Sequence, residues 1–308
     1  MNYTDSPDFM KYSAIIRSPW SLGALAFYTS LTLCSLASAQ DADEEIVAEL
    51  EKPLWELGVG AGALMQPHYP SSSEHQTRGL ALPYLVYRGE VLRIGDGQSA
   101  RAVAAENSRY ELSMSFAAAF DADSEGNELR RGMDDLDFIF EVGPQLVFKL
   151  GNYTYSDTSR SELQLALQAR AAFSTDFGRI DHRGYVFEPM LRYRHYGLFS
   201  PQLEATVSLR PIWATRELHQ YFYDVAAVDA TAFRPAYQAE SGYFGTGLNF
   251  SGTWHLSDKA RVFGGIQTSF HYGAANRQSP LFEDDFTMGV AIGFIWNFLE
   301  SERMVVRP

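Results

Sequence analysis

The sequence predicts an all-β fold, an antiparallel transmembrane β-barrel of about twelve strands with both termini on the periplasmic side. Three observations carry this reading. Apolar and polar residues alternate with period two along most of the chain, as they do when successive side chains point to opposite faces of a strand. The alternating runs are close to ten residues, the length that crosses a bilayer when tilted. The connections between them are short and long in turn, as expected of a barrel with one loop-bearing end.

The clearest run is Tyr185–Arg210. Tyr185, Phe187, Leu191 and Tyr193 share one face, and Glu188, Arg192 and Arg194 the other. After a break at Gly197–Pro201 the pattern resumes, with Leu203, Ala205, Val207 and Leu209 opposite Glu204, Thr206, Ser208 and Arg210. An apolar face against a fully charged one fits a wall between lipid and a wet lumen.

In chain order, residues 1–39 read as a secretory signal peptide. Lys11 and Arg17 precede an apolar run, and Ala37-Ser38-Ala39 offers small residues for cleavage after Ala39. The only cysteine, Cys34, lies within it and follows Leu33, which does not suit a lipoprotein signal. The mature chain then has neither disulfide nor thiol nucleophile. Residues 40–53 form an acidic periplasmic leader, with six acids against one lysine in Asp41–Pro53. The barrel is expected over 54–298, with 299–308 as a tail.

Strands are expected at Trp55–Met65, Gly79–Tyr87, Val91–Gly95, Ser99–Ala105, Arg109–Phe120, Leu136–Leu150, Glu162–Phe173, the two around Gly197–Pro201, Gly242–Leu256, Arg261–Tyr272 and Phe286–Phe298. A miscount by one pair would make ten or fourteen. Long loops are expected at Pro67–Arg78, Asp121–Asp135, Thr175–Arg183, Ala214–Ser241 and Gly273–Asp285 on one side. Gly151–Ser161 is expected as a loop on the other. Pro144 and Pro189 remove ladder donors and mark a bulge or a locally open pairing. In Gly242–Leu256 the faces read as Phe244, Leu248, Phe250 and Trp254 outward, with Asn249, Ser251, Thr253 and His255 inward.

The net charge of −13 excludes nucleic acid as a partner, because phosphates demand a basic surface. Gly58-x-Gly60-x-Gly62 has no helix behind it and does not make a phosphate loop. The inward histidines His255 and His271, with Ser251 and Ser269 nearby in sequence, are better read as lumen fillers than as a hydrolase site. Asp134-Asp135 and Asp284-Asp285 could hold a cation loosely, but solvated acids are the simpler reading. No catalytic, cofactor or metal residues are assigned. The residues expected to line the lumen are Arg109, Glu111, Asp137, Glu141, Arg170, Glu188, Arg192, Arg194, Glu204, Arg210 and Arg261. Charges of both signs in a narrow bore should pair with one another.

Landmarks along the mature chain resemble the MipA/OmpV family of outer-membrane proteins. They are Trp55-Glu56-x-Gly58, Pro67-x-Tyr69-Pro70-x-Ser72, Leu82-Pro83 with Tyr87-Arg88-Gly89, Phe140-Glu141-Val142-Gly143-Pro144, Arg234-x-x-Tyr237-x-Ala239-x-Ser241-Gly242 and Ser279-Pro280-Leu281. Two features depart from the family: Ser71 stands where glycine is usual, and Leu299–Pro308 extends beyond the terminal Phe298. The resemblance implies a non-enzymatic barrel in contact with outer-membrane lipid and lipopolysaccharide. It also implies a scaffold joining a murein transglycosylase to a murein synthase. If so, Asp41–Pro53, Gly151–Ser161 and Leu299–Pro308 would do the binding. A narrow solute channel, or an adhesin using Ala214–Ser241, are the alternatives.

Overall fold

The computed structural model describes residues 51–95 and 101–306. The signal peptide, its cleavage site and most of the acidic leader lie outside the described residues, as do residues 96–100.

Twelve antiparallel strands close a barrel in chain order. They are β2 (Trp55–Pro67), β3 (His75–Arg88), β4 (Leu92–Ile94), β5 (Arg101–Glu106), β6 (Tyr110–Ala119), β7 (Phe138–Ser156), β8 (Ser159–Thr175), β9 (Ile180–Tyr196), β10 (Leu203–Ala214), β11 (Gly242–His255), β12 (Ala260–Phe270) and β13 (Phe286–Glu300). β13 pairs with β2 to complete the ring. Outside it, β1 (Glu51–Pro53) pairs antiparallel with β14 (Met304–Val306). The tail expected beyond Phe298 thus first extends β13 to Glu300 and then pairs with the segment that precedes β2. One helix, α1 (Arg216–Tyr223), interrupts the longest connection. No helix among the described residues is long and apolar enough to cross a membrane.

The burial pattern is that of an inside-out protein. Val59, Phe116, Phe187, Leu191, Leu209, Phe250, Ile266, Ile292 and Phe294 are exposed, whereas Glu111, Arg170, Glu188 and Arg194 are buried. Period two in a closed sheet puts one set outward and the other into the lumen, and only lipid makes such an exterior favourable.

Two details depart from the expected pattern, each for a local reason. Gly151–Ser161 is not a loop. β7 and β8 run on through it to a tight turn at Asp157-Thr158, and a register shift between Lys149 and Gly151 reverses the facing. The shift turns Tyr153 and Tyr155 outward, and Tyr155 stacks on His195 at 5.3 Å. Phe244 does not face out. A register shift at the Ile212–Trp213 step of the β10–β11 pair carries it inward, where it is 7% exposed. Of the two outcomes expected at the prolines, the strands take the locally open pairing. Pairing of β7 with β8 skips Gly143 and Pro144 and resumes in the same register. Pairing of β9 with β10 likewise skips the stretch where Pro189 and Pro211 stand opposite one another.

Candidate lumen site and its cap

At the end bearing β1 and β14 the connections are tight turns. At the other end the long connections fold together into a cap. Leu218, Phe222 and Tyr223 of α1, with Val225 and Ala239 after it, pack on Tyr69 and Leu281 from two other loops. They also pack on Ile139, Ala172, Val186, Ala214 and Phe244, which line the mouth of the barrel. The Ala214–Ser241 connection is therefore a stopper seated in the mouth rather than a free arm, although its Val228 and Phe233 remain exposed.

Polar groups in the cap are matched. The buried Asn276 amide donates to His219 Nδ1 at 2.9 Å and to the Glu240 carbonyl at 2.8 Å, and its Oδ1 accepts from Tyr237 and from the Glu240 N–H. The Tyr223 hydroxyl donates to the Pro70 carbonyl at 2.9 Å, and Ser279 Oγ donates to the Tyr223 carbonyl at 2.7 Å. Arg234 and Arg130 act as staples, giving their guanidinium protons to the carbonyls of Leu129, Arg131 and Asp229, and of Phe222 and Asp134. The landmarks Tyr69, Ser72, Arg234, Tyr237, Ala239, Ser279 and Leu281, scattered over the sequence, meet in this one layer. Ser71 has φ +69°, a left-handed backbone that glycine adopts without penalty. This is the physical reason for glycine being usual there.

Burial holds the imidazoles of His219 and His271 below the ordinary histidine range, opposed in part by the carbonyls of Gly242 and Phe244. His219 donates from Nε2 to the Gly242 carbonyl and accepts at Nδ1 from Asn276, so a second ring proton would face an amide donor. A depressed folded value stabilises the cap above the unfolded value of about 6.5, and that stability is lost as pH falls below it. Amide exchange in α1, corrected for intrinsic rate, should therefore be faster at about pH 5 than at about pH 7.5. In the His219→Gln, His271→Gln double variant the difference should shrink. Equal protection at both values in the parent would refute the assignment.

Below the cap the lumen is crossed by ion pairs. Arg170 binds Glu141 at 2.7 Å and Glu188 at 3.0 Å, and Arg210 lies 3.7 Å from Glu188. Arg194 pairs with Glu204 at 3.3 Å, and Arg261 reaches the Tyr84 hydroxyl at 2.8 Å. Toward the turn end Arg93 binds Glu106 and Glu111, Arg101 binds Glu111, and Lys149 binds Glu106. Arg88 binds Glu56 at 2.6 Å, and Asn297 also donates to Glu56.

Two expected lumen residues sit elsewhere. Arg109 is exposed in the turn between β5 and β6, because β6 starts one residue later. Asp137 lies at the lip, just ahead of β7, with its N–H bonded to the Tyr221 hydroxyl. Sequence reasoning does not reach Arg88, Arg93, Arg101, Glu56 and Glu106. β4 and β5 are too short to show a period, and Glu56 and Arg88 stand out in the sequence only as parts of landmarks.

Arg192 differs from the arginines that share its cavity, which all hold a carboxylate. Among the described residues its one close polar contact is the Met190 sulfur at 3.7 Å, and no carboxylate lies within ion-pairing distance. It lines a cavity of about 540 Å³ together with Arg101, Arg170 and Arg210, roofed by Leu218 and Phe222 of the cap.

The two histidines singled out in the sequence do not converge. His255 stands opposite Arg261 toward the turn end, while His271 follows the loop end of β12 and contacts the Phe244 carbonyl and Thr287. Asp135 accepts from the Ser124 N–H and Asp285 pairs with Arg277. Among the described residues no three acids or histidines converge as metal ligands.

One family description, MltA-interacting protein MipA, matches residues 59–298. No curated protein sequence matches the chain. Among solved structures, the NanC porin is 9% identical with a TM-score of 0.38, covering 79% of this chain and 100% of its own. The COG4313 outer membrane channel from Pseudomonas putida F1 is 10% identical with a TM-score of 0.37, covering 84% and 100%. The outer membrane protein OprG from Pseudomonas aeruginosa is 12% identical with a TM-score of 0.22, covering 80% and 97%. Likeness at this level says nothing of what the barrel handles.

Proposed function

The chain belongs to the MipA family, and we propose that it is an outer-membrane barrel whose lumen binds and passes small anions beneath a folded cap. The supporting observation is Arg192, a lumen guanidinium without a carboxylate partner among the described residues, in a cavity shared with three further arginines. The carboxylates beside it, Glu141 and Glu188, are already engaged by Arg170 and Arg210. Uncompensated positive charge in a low-dielectric bore attracts anions and repels cations.

Reversal potentials across a planar bilayer in a KCl gradient test this on the folded protein, with heat-modifiability on a gel as proof of folding. Anion preference is expected, and Arg192→Gln should reduce the permeability ratio by about threefold to tenfold, or roughly 0.7–1.4 kcal/mol. Cation preference, or silence from folded protein, would overturn the reading.

A second reading rests on the family's description as an MltA-interacting protein. A scaffold for a murein transglycosylase and a murein synthase would use the turn end. There β1 and β14 form a small sheet outside the barrel wall, and the Leu54 N–H donates to the Arg303 carbonyl at 2.8 Å. Deleting residues 302–308 while the barrel still folds should then abolish co-purification of the murein enzymes.

A further inference from the structure

The lumen wall formed by β9 to β12 carries a row of polar side chains at one level. Strand register sets Arg192 opposite Ser208, Ser208 opposite Asn249, and Asn249 opposite Gln267. Neighbouring strands lie about 4.8 Å apart, so the row runs roughly 14 Å along the wall from Arg192 to Gln267. Ser208, Asn249 and Gln267 line both the cavity that holds Arg192 and a second one of about 530 Å³, roofed by Phe222 and Phe244. The two cavities are thus one space along the row. In the ring of strands β10 stands opposite β4, so the row occupies the wall farthest from the short strands.

In the cap and in the ion-pair networks, polar groups are matched to one another. Along the row they are not. Among the described residues the side chains of Ser208 and Gln267 make no hydrogen bond, and neither do those of Thr206, Ser251 and Ser269 beside them. Asn249 accepts from Arg210 at 3.3 Å through Oδ1, which leaves its amide protons unmatched among the described residues. Gly247, Gly265 and Gly289 adjoin the row and put no side chain in front of it. The row therefore presents a guanidinium, then a hydroxyl, then two amides, with open space before them.

Hydroxyls and amides both donate and accept hydrogen bonds, whereas a guanidinium only donates. A ligand that satisfies the whole row has an anionic group at one end and a body covered in hydroxyls. An alkyl body would strip water from the row and return no hydrogen bond. An ammonium would meet the positive field of the arginines, since Glu141 and Glu188 are already engaged. We propose that the row is a binding site for a sugar acid of disaccharide length, with its carboxylate at Arg192 and its hydroxyls along Ser208, Asn249 and Gln267. This deepens the anion-binding lumen proposed above and rests on it.

The test is calorimetric titration of the lipid-folded protein with lactobionate, a disaccharide acid carrying one carboxylate, with heat-modifiability as proof of folding. Lactose supplies the hydroxyls without the charge, and acetate the charge without the hydroxyls. Lactobionate should bind at least about tenfold more tightly than either. Gln267→Leu, which keeps the bulk and removes the amide, should cut its advantage over acetate at least about threefold. Equal affinity for lactobionate and lactose, no binding of lactobionate, or an advantage that Gln267→Leu leaves intact would overturn the site. If acetate binds as tightly as lactobionate to protein that is anion-selective in a KCl gradient, the lumen reading stands and the sugar-acid site falls. Cation selectivity with neither anion bound would remove both.

Discussion

Arg170→Met should lower the stability of the lipid-folded barrel by about 3–5 kcal/mol, the cost of removing one partner from a buried ion network. The Arg170 side chain is 4% exposed and bridges Glu141 on β7 to Glu188 on β9, while its Nη1 also donates to Gln168 at 2.6 Å. Without it, Glu141 has no cation in ion-pairing range among the described residues, and Glu188 keeps only Arg210 at 3.7 Å. The loss should appear as a lower urea midpoint with an unchanged slope. Adding Glu141→Gln should restore much of it, because the carboxylate left without a cation is then neutral while Glu188 keeps Arg210. A change below about 1 kcal/mol in Arg170→Met would mean that water in the bore screens these charges as it does surface pairs.

Tyr223→Ala should be as costly, but the damage should be confined to the cap. The residue is 2% exposed, and its ring packs near Phe244, Phe282 and His219. Truncating a buried aromatic costs about 3–5 kcal/mol, and the Pro70 carbonyl also loses its donor. Amide protection should fall in α1, in residues 68–74 and in residues 276–285, while the barrel strands keep theirs. With its roof loosened, the lumen should conduct more at the same voltage. Tyr223→Phe, which keeps the ring, should cost about 1–3 kcal/mol. Unchanged protection in α1 after Tyr223→Ala would show that the arginine staples alone hold the cap.

The facing of the long strands is legible because two solvents differ so sharply. Lipid outside accepts only apolar side chains, so Tyr185, Phe187, Leu191 and Tyr193 on β9 repeat without exception while Glu188 and Arg194 turn inward. Periodicity fails where this contrast is interrupted. Register shifts near Lys149 and Ile212 add a residue to one strand, which reverses the parity that period two assumes. Phe244 departs from its expected face for that reason, while Tyr153 and Tyr155 lie in strands that run on through an expected loop. β4 and β5 have too few residues to establish a period at all, so Arg93 and Arg101 carry no signal in the sequence.

By itself the sequence determined the barrel, its twelve strands, the facing of most of their side chains and the pairing of opposite charges within. These follow from nearest-neighbour physics, since each strand needs only to know which side is lipid. Only the tertiary structure decided which cavity arginine has no carboxylate beside it among the described residues, and what closes the mouth. Among the described residues Arg192 has no carboxylate partner, because strand register sets Gln164 and Ser208 opposite it. The cap exists because Tyr69, Tyr223, Asn276 and Leu281, far apart in the chain, bury one another. Such long-range closure leaves no periodic trace, for its stability comes from loops meeting across the mouth rather than from any residue and its neighbours along the chain.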